Sequence, residues 1–187
     1  IAQDESGQAH ASRSSRRALS LGRGRCDAAS TIPPRARWAA INTHRRAGKT
    51  VALVNDLIYG GLECRLHKPQ LAYVGPTYSQ AKRVAWAYLK DYAEPYLAKP
   101  PQEAELKVTL KNDATIYVLG ADNADSLRGM YLDGCVPDEY ALFKPSVFSQ
   151  VIRPALSDRH GWAIFASTPR GKKLFYDVCQ VAKNNPS

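Results

Sequence analysis

The stretch Trp38-Ala39-Ala40-Ile41-Asn42-Thr43-His44-Arg45-Arg46-Ala47-Gly48-Lys49-Thr50-Val51 decides how the rest of this chain is read. It opens with a short apolar run of strand length, passes through a polar, basic loop, and ends where an apolar pattern of helical period begins. Val51, Val54, Leu57 and Ile58 fall on one helical face. Gly60-Gly61 then supplies a stop signal, so the helix is expected to end there. Strand, tight loop and helix form a phosphate-binding unit when the loop carries the pattern G-x-x-x-x-G-K-[ST]. Residues 43–50 match it except at the first position, where Thr43 stands in place of glycine. The physics survives that change, because loop N–H groups and the helix N-terminus still point at phosphate oxygens. Lys49 is expected to reach the β- and γ-phosphates of a nucleotide, and Thr50 to place its hydroxyl on Mg2+. Thr43, His44, Arg45, Arg46, Ala47 and Gly48 complete the candidate nucleotide-binding loop. His44 reads more simply as a structural or solvated side chain. Arg45 and Arg46 either are solvated charges or approach the γ-phosphate.

Downstream, strands and helices alternate. Leu71-Ala72-Tyr73-Val74 before Gly75-Pro76 reads as a second strand, and Ser79 to Tyr92 as a helix with Ala81, Val84, Ala85, Tyr88 and Leu89 inward. Glu105 to Leu110 and Thr115 to Leu119 have period-two texture around Lys111-Asn112-Asp113-Ala114, which suits a β-hairpin. Ser146 to Leu156 looks helical, Trp162-Ala163-Ile164-Phe165-Ala166 is another buried strand, and a last helix runs from about Leu174 to Lys183. This alternation implies an α/β fold, a mainly parallel sheet covered by helices on both faces. Trp38, Trp86 and Trp162 are expected in or at the edge of the core.

Gly134-Cys135-Val136-Pro137 leads into Asp138-Glu139. A metal-binding carboxylate must leave the carboxyl end of a strand beside the phosphate loop, which suits Asp138 as the Mg2+ ligand. Glu139 is placed to orient and polarise an attacking water. Pro137 cannot donate to a ladder, so it belongs at the end of its strand. The order is phosphate loop, about 90 residues, acidic pair, and then a third strand ending in Ser167-Thr168-Pro169-Arg170-Gly171. A polar cluster there can sense the γ-phosphate and pass its loss to a moving part.

The 187 residues suit one α/β domain and are short for two. The net charge of +9 is an N-terminal feature: residues 1–50 carry ten Lys/Arg against three Asp/Glu, leaving sixteen against fourteen beyond. A basic arm of this kind either holds a nucleic-acid backbone or is a solvated tail. Residues 1–34 have almost no aromatic or β-branched residues and read as irregular, with the ordered domain over 35–187. Cys26, Cys64, Cys135 and Cys179 form no C-x-x-C pair and read as reduced intracellular thiols. No apolar run approaches the roughly 18 residues of a membrane span. The chain starts at Ile1 and stops at Ser187 directly after a helix-like stretch, the expectation for a piece of a longer protein.

Several of these stretches together resemble the large terminase subunits of tailed bacteriophages. They are residues 44–50, Tyr73-Val74-Gly75-Pro76-Thr77-Tyr78, Leu127-Arg128-Gly129 followed by Asp138-Glu139-Tyr140-Ala141, and Pro154-Ala155-Leu156 through Gly161-Trp162 to residues 167–171. The resemblance covers about residues 36 to 180, and a phosphate loop without its first glycine is common in that family. It implies a P-loop NTPase fold of the additional-strand type, with the strand before Ser167 between those of the phosphate loop and the acidic pair. It also implies ATP as substrate with Mg2+, Lys49, Thr50, Asp138 and Glu139 in the roles above, and Ser167, Thr168 and Pro169 as a coupling motif. Arg128 would be an arginine finger acting on a neighbour's ATP, or else a surface ion pair. The implied partners are double-stranded DNA, a portal protein, a small terminase subunit and further copies in a ring, in the cytoplasm of a bacterial host. The family's nuclease domain has no counterpart here, Asp158 and Asp177 reading as surface charges, and residues 1–34 do not resemble its adenine-binding segment. Two other functions fit the same motifs. A helicase-like ATPase would need a second motor lobe, and a truncated remnant would bind nucleotide or DNA without turnover.

Overall fold

The computed structural model describes residues 37–44, 47–168 and 174–184. Residues 1–34, Arg45, Arg46 and Pro169, each named above, lie outside them, as does Cys26. Six strands form one sheet: β1 (Trp38–Asn42), β2 (Gln70–Gly75), β3 (Lys107–Thr109), β4 (Thr115–Gly120), β5 (Gly134–Pro137) and β6 (Trp162–Ser167). Their order is β1-β6-β5-β2-β4-β3, with every neighbouring pair parallel except the β3–β4 hairpin. The strand before Ser167 therefore does lie between the strand feeding the phosphate loop and the strand ending in the acidic pair. Pro137 is the last residue of β5, opposite Val74, where a missing N–H costs the ladder least.

The sheet is buried on both faces, and alternate residues serve different cores. Leu71, Tyr73, Ile116, Val118, Val136 and Ile164 pack with α1 (Lys49–Glu63) and the helix that follows β2. Ala72, Val74, Leu119, Cys135, Ala163 and Phe165 pack on the other side with residues 147–156 and Phe175, which belongs to α6 (Leu174–Asn184). Trp86 is buried, while Trp38 and Trp162 are half-buried at the margins of the two clusters. Cys64 and Cys135 are buried and Cys179 is half-buried.

Three local features depart from the periodic reading. Helix α1 does not stop at Gly60-Gly61 but runs on to Glu63. A Cβ on Gly60 would meet the Trp162 ring at 2.7 Å, so this glycine serves close packing of helix on sheet rather than termination. Gly134 is constrained by the same ring, at 2.5 Å. The second departure is the helix after β2, which starts as α2 (Tyr78–Ala81), widens into a π-helical turn over Lys82–Trp86, and continues as α3 (Ala87–Ala93). Thr77 caps its start, accepting the Gln80 N–H. The wide turn admits one more residue than an α-turn, so Trp86 enters the core with Ala81, Ala85 and Leu89. Tyr88, expected inward, is instead 40% exposed. The third departure is a like π-helical turn, Phe148–Ile152, inside the helical stretch from α4 (Pro145–Val147) to α5 (Arg153–Ser157).

Candidate functional site

At the carboxyl ends of β1, β6, β5 and β2 the sheet opens into a cavity of about 590 Å³. Its floor comes from the loop and helix start at Gly48, Lys49 and Thr50. Tyr73, Gly75 and Pro76 form one wall, and Asp138, Glu139 and Thr168 another. His44 lies at its edge, and Gln80, Arg83 and Tyr88 reach it from the helix after β2. Thr43 and Ala47 do not line it. The Thr43 N–H faces the Ser167 carbonyl at 3.5 Å, and the buried Thr43 hydroxyl has no hydrogen-bond partner among the described residues.

Gly48 makes the loop possible. Its φ of 72° lies in the left-handed region, and nothing stands within 4 Å of where its Cβ would be, so conformation rather than space demands glycine. The turn places Lys49 at the first position of α1, with its ammonium aimed across the sheet. Lys49 Nζ lies 2.9 Å from Asp138 Oδ1 and 2.8 Å from Glu139 Oε1. Glu139 Oε2 accepts the Thr168 hydroxyl at 3.2 Å. Asp138 Oδ1 also accepts the Glu139 N–H at 2.8 Å, and its Oδ2 accepts the Tyr73 hydroxyl at 2.6 Å. Glu139 itself holds a left-handed backbone, φ 51° and ψ 40°, which a non-glycine residue adopts at a cost of about 1 kcal/mol or more. That bend lets consecutive residues 138 and 139 both face Lys49.

The electrostatics follow from this geometry. Burial works against charge on Lys49, but hydrogen bonds and attraction from Glu139 and Asp138 outweigh it and raise its pKa. Burial likewise pushes the Glu139 carboxyl up, and the Lys49 contact, with the Thr168 hydroxyl, more than reverses it. Two carboxylates against one ammonium leave the cluster with an excess negative charge. Carboxylate and hydroxyl oxygens such as these suit Mg2+, which commonly takes one or two carboxylates together with substrate phosphates.

The structure thus brings Lys49, Thr50, Asp138, Glu139 and Thr168 together from three parts of the chain. Ser167 stands just behind, fully buried, its hydroxyl donating to the Thr168 carbonyl and accepting the Ala141 N–H at 3.3 Å. Arg128 is not part of this group. It is exposed and lines a separate depression of about 300 Å³ with Tyr131, Gln150 and Asp158. Sequence reasoning gave no role to Tyr73 or Arg83. Tyr73 is a residue of the second strand and of a resembling stretch, and its nearness to Asp138 depends on β2 lying beside β5.

Comparison with known proteins identifies relatives of this chain. Residues 41–186 match the family model described as terminase large subunit, T4likevirus-type, N-terminal. The large terminase of Thermus phage G20c is 49% identical over 57 residues, 30% of this chain and 12% of that protein. That of Escherichia phage T5 is 27% identical over 146 residues, 76% of this chain and 32% of the relative. The ATPase domain of the Thermus phage P74-26 large terminase has a similar structure, with a TM-score of 0.62 at 31% identity. The similarity covers 76% of this chain and 63% of that one. This chain spans only a minor part of the curated relatives it matches. With the family model running from the end of β1 through α6, and the same fold in a relative, the chain belongs to the terminase large-subunit family of the T4-like-virus type, in its N-terminal domain.

Proposed function

We propose that this chain is the ATP-hydrolysing motor domain of a large terminase, coupling phosphoryl transfer to movement of double-stranded DNA into a prohead. The observation that carries the reading is the Lys49 bridge to both Asp138 and Glu139, with Thr168 on the far oxygen of Glu139. A solved large terminase of a thermophilic bacteriophage, 21% identical and with a TM-score of 0.59, is described in complex with ATP-γ-S.

Incoming β- and γ-phosphates compete with the two carboxylates for Lys49, whose ammonium exchanges one set of anionic partners for another. Glu139, released from Lys49, keeps its bond from Thr168 and is free to orient a water and polarise it. Thr50 and Asp138 would hold Mg2+, which would offset charge on the phosphates. Thr168, at the end of β6, is in contact with Glu139 and so links the state of the site to the chain that leaves the sheet there. Ser167 supports that link from behind. Because Arg128 lies outside the cavity of its own chain, a role in hydrolysis requires a second copy, consistent with a ring. A portal protein, a small terminase subunit and the host cytoplasm belong to the same proposal. Among the described residues no group of three or more His, Cys, Asp or Glu could hold a metal. Nor is any helix among them long and apolar enough to cross a membrane.

ATP hydrolysis measured over a range of chain concentrations, with and without double-stranded DNA, tests the reading. Turnover should rise with concentration, fall on Arg128→Ala, and vanish in Lys49→Ala. Turnover that survives Lys49→Ala sinks the proposal.

A further inference from the structure

Tyr73 is 2% exposed, on the β2 strand beside β5, in register with Val136. An aromatic ring at that place needs no explanation beyond the core it fills, but its hydroxyl does. A buried phenol must find a hydrogen-bond partner. This one donates to Asp138 Oδ2 at 2.6 Å. The hydroxyl thus holds a carboxylate that the preceding reading assigns to Mg2+, at the end of β5. Of the other two groups on Asp138, Lys49 is the one that must turn to the phosphates, which leaves the Glu139 N–H and Tyr73 to hold the carboxylate. A phenylalanine would fill the same space and hold nothing.

We propose that Tyr73 is a positioning residue for the divalent cation, its hydroxyl fixing the Asp138 carboxylate in the orientation that metal binding uses. The inference rests on the ATPase reading. Outer partners of metal ligands commonly change metal affinity by about 10- to 100-fold when removed, although they never touch the metal. The hydroxyl acts on Asp138 through Oδ2, while Oδ1 faces Lys49.

The test compares the wild-type chain with Tyr73→Phe, using a fluorescent ATP analogue. Its affinity is measured in EDTA and then during a Mg2+ titration, and thermal unfolding is followed in parallel. The expected result is analogue affinity in EDTA within about twofold of wild type, together with a Mg2+ midpoint raised roughly tenfold or more. A purely structural tyrosine would lower thermal stability and leave the Mg2+ midpoint in place, and that outcome overturns the inference. A wild-type chain whose nucleotide binding ignores Mg2+ overturns the metal-dependent ATPase reading and this inference with it. Should Tyr73→Phe fail to fold, combining it with Asp138→Asn removes the carboxylate left without its donor. The double variant must then show the same Mg2+ dependence as Asp138→Asn alone, and any further loss overturns the proposal.

Discussion

Strand β5 is bracketed by two buried aspartates, Asp133 before its first residue and Asp138 after its last, 1% and 3% exposed. Their surroundings differ in kind. Asp133 Oδ2 accepts the Gln70 N–H at 2.8 Å, and Arg159 Nε stands 3.1 Å from Oδ1. The Arg159 N–H is not aimed at that oxygen, which has no hydrogen bond among the described residues, so charge rather than a hydrogen bond holds the pair. Arg159 is itself tied down, donating to the His67 carbonyl at 3.0 Å and lying 4.5 Å over the Tyr131 ring. Asp138 faces an open cavity, and the side chains around it, Lys49 above all, can turn to other partners. A buried carboxylate is therefore not in itself a sign of chemistry. What matters is which end of a parallel strand it occupies and whether its partners can leave. The amino end of this sheet locks its charge with main-chain groups, and the carboxyl end holds its charge with groups that can exchange.

The largest expected effect breaks the comparison at the carboxyl end. Glu139→Gln should lower ATP turnover by about 10²- to 10⁴-fold while nucleotide still binds, as single-turnover and binding measurements would show. Equal turnover in the variant would mean that the site closes around Lys49 for structural reasons, as the Asp133 end does. At that other end, Arg159→Met should cost roughly 2 kcal/mol in chemical unfolding, since it leaves a buried carboxylate without its counter-charge and Arg159 is itself only partly buried. Nucleotide affinity should not change. A loss of affinity would mean that the two ends are coupled through β5.

Smaller still is the pH dependence of stability, where the two ends should slope in opposite directions. Glu139 is held below its ordinary value near 4.5, so its stabilisation is complete above that pH and lost as pH falls through the folded value. Lys49 is held above its ordinary value near 10.5, so its part is complete below that and lost as pH rises through the folded value. For Asp133 burial pushes the carboxyl above its ordinary value near 3.8, against the pull of the Gln70 N–H and Arg159. The folded state therefore favours protonated Asp133, a contribution present below about pH 4 and lost as pH rises through its folded value. Unfolding free energies measured across the acid range should show Lys49→Met flattening the loss on acidification. Asp133→Asn should steepen it. The reverse pairing would invert the assignment of the two carboxylates.

The smallest effect concerns packing at the amino end. Gly60→Ala would gain about 1 kcal/mol in helix propensity, yet its Cβ meets Trp162 at 2.7 Å, and overpacking commonly costs about 1–3 kcal/mol. A net loss near 1 kcal/mol is expected, turning to a gain when combined with Trp162→Leu. A gain in the single variant would mean that the ring can move aside.

Much of this molecule was legible along the chain. The apolar run before the loop, the helical period after Lys49, the hairpin around Asn112 and the acidic pair after Pro137 are statements about neighbouring residues, and every one became the expected element. Those signals rest on backbone dihedrals and side-chain periodicity, which are local properties. The place of β6 between β1 and β5 came from resemblance and the rest of the strand order from the structure alone, because period and composition do not say which strands lie side by side. Where close packing competed with local preference, packing prevailed. Gly60 yields to Trp162 instead of ending α1, and the π-helical turn brings Trp86 inward at the expense of Tyr88. The two aspartates of β5 show the remaining limit. Three of their partners, Gln70, Tyr73 and Lys49, lie 63 to 89 positions away, and only the sheet order sets which of these each aspartate meets. The sequence by itself determined the phosphate loop, the acidic pair and the alternation of elements. Only the tertiary structure decided which carboxylate faces a cavity and which is sealed, because hydrogen-bond partners across a sheet are chosen by strand adjacency and not by distance along the chain.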